Sequence, residues 1–383
     1  MSTLLSEVPN DIRDVVSDYE RVALVFQGGG ALGAYQAGVY EALSLAGAEP
    51  NWVSGVSIGA INSAIIAGNT PENRLPRLRE FWNTVSGRKF WAFTPEGDAY
   101  RSMRNQISAF ATINLGQPGF FKPRFPNPWM MPRGAEGATS FYDTAPLRDT
   151  LLKLVDFDLI NSGQKRFSVG AVNVRTGNFV YFDNSTHRIA PEHIMASGAL
   201  PPAFPAVRID GEYYWDGGVV SNTPLQWLLD QPDHPSALVF QVDLFSARGE
   251  LPRDMFDVVE RQKDIGYSSR TRSVTDFFRR VQELRTLFAE ALQRIPEQLR
   301  TEEDCRLLEA YDRSGPVNIC HLIYQEKSWE RDFKDYEFSG TSMRDHWKSG
   351  YEDTLKTLRR REFLKKPEKS TAVVVHDIHR VED

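Results

Sequence analysis

Cysteine is almost missing from this chain. Cys305 and Cys320 are the only two in 383 residues, too few for a disulfide framework, and they read as buried free thiols. Long apolar runs are missing as well: no stretch approaches the ~20 residues needed to cross a bilayer, so any membrane contact is expected to be peripheral. Positive charge is not in excess. The formal net charge is −6, and no basic, aromatic-interleaved signature is present, which argues against a nucleic-acid partner. There is no H-E-x-x-H, paired-cysteine or clustered-carboxylate pattern, so no metal and no cofactor are expected. Repeats and low-complexity tracts are also lacking. The opening MSTLLSEVPNDIRDVVSDYE is acidic, with neither a basic n-region nor a long apolar core. It reads as an N-terminal arm, residues 1–20, of a cytoplasmic protein rather than as a signal peptide. The sequon at Asn184 is then fortuitous.

What the chain does have is glycine in significant places. Asn51 to Gly68 reads NWVSGVSIGAINSAIIAG, a short strand entering Gly55-Val56-Ser57-Ile58-Gly59 and then a small-residue helix. This is the pattern of a nucleophile elbow, in which a tight strand-to-helix turn holds the central serine in a strained backbone and side chains two positions away would clash. Upstream, Val22 to Phe26 is an unbroken apolar run, as expected of a parallel strand covered on both faces. It ends in Gln27-Gly28-Gly29-Gly30-Ala31-Leu32-Gly33 and opens into a helix whose apolar positions are Val39, Leu43 and Leu45, closing near Gly47. Glycines between a buried strand and a helix N-terminus leave N–H groups free to face an anion. That anion is either a nucleotide phosphate or the oxyanion of an ester under attack. No acidic residue ends a second strand ~20 residues on, as a ribose site requires. The second strand delivers Ser57 instead.

Far along the chain stands Tyr214-Trp215-Asp216-Gly217-Gly218-Val219-Val220-Ser221-Asn222-Thr223-Pro224. An acidic residue followed by two glycines is expected to turn sharply and leave its carboxylate exposed at the end of a strand. Four blocks in order, QGGGALGAYQAGV, GVSIGA, ASGALPPAFPAV (residues 196–207) and DGGVVSNTP, resemble the patatin-like phospholipase family over about residues 20–245. The resemblance implies a Ser–Asp dyad in place of a Ser–His–Asp triad. Ser57 would be the nucleophile, Asp216 the general base, and the amides of Gly28, Gly29 and Gly30 the oxyanion hole, with Gly55 and Gly59 shaping the elbow. Two positions depart from many relatives: Leu32 replaces a cation in the glycine loop, and Gln36 replaces a histidine in the helix. A triad would need one of His187, His193, His234, His321, His346, His376 and His379, and His193 is expected to face solvent at the start of a short helix.

The segment from Thr84 to Tyr142 breaks the α/β rhythm and reads as a lid-like insertion. Its aromatics and methionines, among them Phe90, Trp91, Phe110, Phe120, Phe121, Trp129, Met130, Met131 and Tyr142, are interleaved with arginine and lysine. Trp91, Trp129, Met130 and Met131 are the residues expected to line an acyl channel or touch a lipid interface. The alternative is a cap that packs its aromatics against the core. Residues 246–383 form a mostly helical C-terminal extension with amphipathic helices over 254–294, one strand returning near 317–324, and a helix near 343–362. It ends in a basic run of Lys356, Arg359, Arg360, Arg361, Lys365, Lys366 and Lys369, read as a solvated helix face with a frayed end. The expected fold is α/β, a doubly wound, mainly parallel sheet with helices on both faces. The expected function is a serine acyl hydrolase of lipid carboxylic esters acting through an acyl-Ser57 intermediate, its partner a phospholipid or other acyl ester. An acyltransferase or thioesterase on the same dyad, and a non-catalytic lipid-surface or storage-granule protein, are the alternatives.

Overall fold

The computed structural model describes residues 10–87, 98–135, 137–231, 235–327, 330, 333–368 and 371–379. Its frame is a nine-stranded sheet, counted among the described residues. The strands are β1 (Arg21–Phe26), β2 (Trp52–Gly55), β3 (Arg166–Asn173), β4 (Phe179–Asp183), β5 (Val207–Ile209), β6 (Glu212–Asp216), β7 (Ala237–Asp243), β8 (Val317–Ile323) and β9 (Val373–Asp377). They lie in the order β9-β8-β7-β1-β2-β3-β6-β5, with β4 also paired to β3. From β9 through β3 every pairing is parallel, and β4, β5 and β6 add the antiparallel part.

The apolar run of β1 is explained by its place in the middle. Val22, Leu24 and Phe26 enter one core, and Ala23 and Val25 enter a second on the opposite face. A strand buried on both sides has no polar face to alternate with. The chain leaves β1 toward β2 and β3 on one side and returns as β7, β8 and β9 on the other. The strand order therefore reverses at β1, and the crevice at the carboxyl ends there is where open α/β sheets bind ligands.

Seven helices position the site or cover it: α1 (Ala34–Leu45), α2 (Ile58–Ala67), α3 (Asp98–Leu115), α4 (Pro191–Ser197), α5 (Met255–Tyr267), α6 (Thr271–Gln293) and α7 (Gly340–Arg359). Helix α1 is buried almost all round, because α7 covers the side that the sheet does not. Val39 and Leu43 are interior as expected, while Leu45 is half exposed at the last turn. The two helices meet backbone to backbone at Gly38 and Gly350: a Cβ on Gly38 would overlap the Trp347 carbonyl, and one on Gly350 the Tyr35 carbonyl.

Three expectations are corrected by the architecture. The C-terminal region returns two strands to the sheet, β8 and β9, not one. The Thr84–Tyr142 segment is not irregular throughout, since α3 occupies 18 residues of it and Lys122–Pro123 pairs with Tyr142–Asp143. The described part of the basic run is solvent-exposed as expected, but it is tied down rather than loose. Lys356 pairs with Asp353 on its own helix at 3.0 Å; Arg361 pairs with Asp14 at 3.0 Å and Lys366 donates to the Asp18 carbonyl, because the acidic stretch near the N-terminus lies beside these two. Lys369, like His234, lies outside the described residues.

Gly38→Val is expected to force α1 and α7 apart and to lower stability by at least about 1–3 kcal/mol. Urea denaturation measures this directly. An unchanged midpoint would mean that the helix pair does not depend on this contact.

Candidate active site

Strands β1 and β2 are neighbours in parallel register, with Phe26 opposite Gly55, so the turns that come after them emerge side by side. After β2 the chain reverses into α2 through Ser57, whose backbone sits at φ 56°, ψ −123°. A non-glycine residue there is strained, and the surrounding structure has to hold it. The Ser57 N–H is held by the Ser197 carbonyl at 3.0 Å and the Ser197 hydroxyl at 3.2 Å. A Cβ on Gly55 would overlap the backbone of Gly59, and one on Gly59 would come within 2.5 Å of the Phe26 carbonyl. Both glycines are therefore required where the sequence has them.

The glycine loop after β1 passes close to the serine: a Cβ on Gly28 would lie 3.0 Å from that of Ser57. The Gly28 N–H donates to the Asn222 carbonyl at 3.2 Å, so it is already committed. Gly29 and Gly30 are the amides of the triplet without a hydrogen-bond acceptor among the described residues, which corrects the expectation that all three are available. The loop is fastened from two sides. The Asn222 side-chain amide donates to the Gly28 and Tyr267 carbonyls, and the Ala31 N–H donates to the Asp335 carbonyl at 2.7 Å. Gln27, fully buried, donates to Thr223 and accepts from the Leu244 and Phe245 N–H groups. Leu32 and Gln36 are interior: Gln36 donates to the Gln27 carbonyl at 2.6 Å and accepts from Asn62, which makes it part of the packing behind the loop.

Asp216 ends β6, and its carboxylate is not exposed as the sequence led one to expect. The residue is 1% accessible and accepts from the Gly218 N–H at 2.7 Å. Burial pushes its carboxyl up to about 7, against the lowering effect of hydrogen bonds from the Ser57 hydroxyl and the Gly218 N–H. The serine and the aspartate thus face one another across a partly desolvated contact.

Both open on a cavity of about 280 Å³ whose walls are mainly apolar. Ile58 and Ile61 come from α2, and Thr112 and Ile113 from the end of α3. Phe120, Phe121, Tyr142 and Phe204 form an aromatic cluster, with Phe121 and Tyr142 ring centroids 4.8 Å apart. The C-terminal region closes the cavity with Tyr267, Asp335, Tyr336 and Phe338. Its position is fixed by charge. Lys334, 4% exposed in its side chain, stands among Glu260, Asp264 and Glu326 at 3.2, 2.8 and 3.1 Å, and Lys263 pairs with Asp335. Those three carboxylates converge closely enough for a cation, and the lysine ammonium is that cation.

The lid-like segment does reach the cavity, through other residues than those singled out. Trp129 and Met130 are 86% and 78% exposed, and neither they nor Met131 belong to the walls. Trp91 lies outside the described residues. His193 is buried rather than solvent-facing, because its ring packs edge-on against Phe182 and Nδ1 accepts the Ala190 N–H. No histidine lines the cavity among the described residues. Sequence reasoning missed Asn222 and Ser197, although both lie inside the blocks quoted above. Tyr267 and Phe338 carried no local signal.

A serine on a strained turn, facing a buried aspartate at the carboxyl end of a parallel sheet, defines an acyl-hydrolase type of site. The model of the patatin-like phospholipases matches residues 24–229, and a second, described as patatin phospholipase, matches residues 265–370. The chain belongs to the patatin-like phospholipase family, whose members are lipid acyl hydrolases. No curated protein matches it. Among solved structures, the crystal structure of VipD from Legionella pneumophila matches at 15% identity with a TM-score of 0.39, covering 94% of this chain and 72% of that one.

The raised carboxyl of Asp216 has a consequence for stability. An acid whose folded pKa lies above its unfolded one costs the fold stability as pH rises from about 4 to about 7, and the full cost persists above that range. Asp216→Asn, uncharged at every pH, is expected to be more stable than the parent at pH 8, by at most about 4 kcal/mol, with the difference shrinking to about 1 kcal/mol near pH 4.5. Urea titrations at the two pH values check this. The same difference at both would mean that the carboxyl is not desolvated.

Proposed function

We propose that the protein is a serine acyl hydrolase that cleaves carboxylic esters of lipids with Ser57 and Asp216 as its dyad. The observation that carries this reading is Ser57, on its strained turn, lining the same apolar cavity as a carboxyl that burial has raised to about 7, beside two amides with no acceptor among the described residues. An ordinary aspartate is a weak base, and one raised toward neutrality is matched to taking a serine proton at physiological pH. Ser57 Oγ attacks the ester carbonyl as its proton passes to Asp216. The Gly29 and Gly30 N–H groups receive the oxyanion, and one such donor typically contributes about 100- to 1000-fold in turnover. Asp216 then returns the proton to the departing alkoxide, and the acyl group remains on Ser57. In the second half Asp216 takes a proton from water, the hydroxide attacks the acyl-enzyme, and the acid leaves with Ser57 restored. The apolar walls take the acyl chain.

Contact with a lipid aggregate is peripheral, since no helix among the described residues is long and apolar enough to cross a membrane. The surface beside the cavity suits such contact. Met103, Ile107 and Phe110 repeat at helical spacing along α3, each at least half exposed, and Ile113 on the same helix lines the cavity. Phe125, Trp129 and Met130 are exposed farther along the same insertion. On this reading Trp129 and Met130 act as interfacial anchors, not as channel walls.

Ser57→Ala and Asp216→Asn are each expected to abolish ester hydrolysis, and a fluorophosphonate probe should label the parent but not Ser57→Ala. In the parent, kcat/KM should rise with pH through about 7 and then level, because Asp216 acts as its carboxylate. Full activity in either variant, or a pH-independent rate, would sink the dyad. For the surface, Phe110→Ser with Trp129→Ser is expected to lower hydrolysis of vesicle-borne esters about tenfold or more while sparing short soluble esters. Equal losses on both, with a lower melting temperature, would return these residues to packing.

A further inference from the structure

A second cavity, of about 600 Å³, lies at the carboxyl ends of β7 and β8 and along β9, and Phe245 belongs to the walls of both cavities. Acyl transfer at Ser57 makes no use of it. Its lining is polar where the first is apolar. Helix α6, 23 residues long, begins in this lining with Thr271 and Arg272, and its N-cap residue, Arg270, makes no side-chain capping bond. The first-turn N–H groups of a long helix are thus left for a ligand, at the end where the dipole favours negative charge.

An independent observation points the same way. His321 lines the cavity and is 9% exposed; its Nε2 lies 2.6 Å from the Asp243 carboxylate. The same Nε2 lies 3.2 Å from the Gln241 amide nitrogen, while Nδ1 has no hydrogen-bond partner among the described residues on a ring that lines the cavity. The cations around it are not all spent. Asp276 is answered by Arg279 at 3.0 Å and Asp243 by His321, while Asp377 is met by the backbone N–H of His379 at 2.9 Å. Arg248 and Arg272 share the lining and have no carboxylate partner among the described residues.

We propose that this cavity binds a phosphomonoester, free in solution or carried on a lipid head group. Two arginines and an uncapped helix start supply the charge and the donors that such a group takes. Nδ1 of His321 adds a ring nitrogen that can hydrogen-bond a phosphate hydroxyl or oxygen. A cavity of this size also has room for the group that carries the phosphate.

Calorimetric titration of the full chain tests the assignment, with glycerol 3-phosphate for the free source and phosphatidylcholine vesicles with or without phosphatidic acid for the lipid source. Saturable one-to-one binding in at least one arm is expected, weakened about tenfold or more by Arg272→Gln and by Arg248→Gln and partly restored in Arg272→Lys. Binding should survive when Ser57 is blocked by a fluorophosphonate, and the arginine variants should keep the parent's labelling rate at Ser57, which confirms their fold. Binding of glycerol 3-phosphate assigns the free source, and binding that requires phosphatidic acid assigns the lipid one. Absence of saturable binding in both arms, or affinities unchanged in both glutamine variants, would overturn the proposal.

Discussion

Two chain reversals have to fit within the width of one side chain, and the rest of the site depends on that. Because Phe26 stands opposite Gly55, the glycine loop and the serine turn leave the sheet at the same level and touch. Gly28, Gly55 and Gly59 are the positions where a methyl group would strike the neighbouring turn or the backbone beneath it. The strain at Ser57 is then not a local choice of that residue. It is imposed by the crossing of α2 over β1 and held by hydrogen bonds from Ser57 to Ser197, which belongs to α4 on a distant part of the chain. Asn222 ties the loop after β1 to the stretch beyond Asp216, so the proposed nucleophile, base and oxyanion donors form one mechanical unit.

The same crowding sets the electrostatics. A carboxylate among apolar walls, with one N–H and one hydroxyl to satisfy it and no cation among the groups that shift it, is poorly solvated, and its proton affinity rises accordingly. An arginine beside Asp216 would have restored an ordinary acid. Nearby cations are used elsewhere: Lys334 and Lys263 hold the C-terminal wall in place through carboxylates away from the dyad.

The parts of this arrangement that could be read in the sequence are those in which a short run of residues determines its own shape. The elbow, the glycine loop and the Asp-Gly-Gly turn are each defined within a few positions, and the unbroken apolar run of β1 announces a doubly covered strand. Burial was the harder matter. Asp216 and His193 look like surface residues in a one-dimensional reading, yet each is covered by elements far away in the chain. Trp129 and Phe121 are eight residues apart and chemically alike, but Phe121 turns into the cavity and Trp129 out of it, which composition cannot decide. The commitment of the Gly28 N–H depends on the Asn222 carbonyl, 194 positions later. Arg361, in the basic run near the C-terminus, finds its acid in Asp14, near the other end of the chain.

Strand β8 covers the whole length of β7, and Tyr267, Asp335 and Phe338 from the C-terminal region close one side of the cavity that Ser57 and Asp216 share. The residues that bear the proposed dyad are therefore not a detachable module. A chain ending after β7 would present a bare row of amide and carbonyl groups along that strand, strip the support from the glycine loop at Ala31, and open Asp216's surroundings to water. Its carboxyl would drift back toward an ordinary acid, and what remained would keep the fold's motif but lose the dryness on which the chemistry rests.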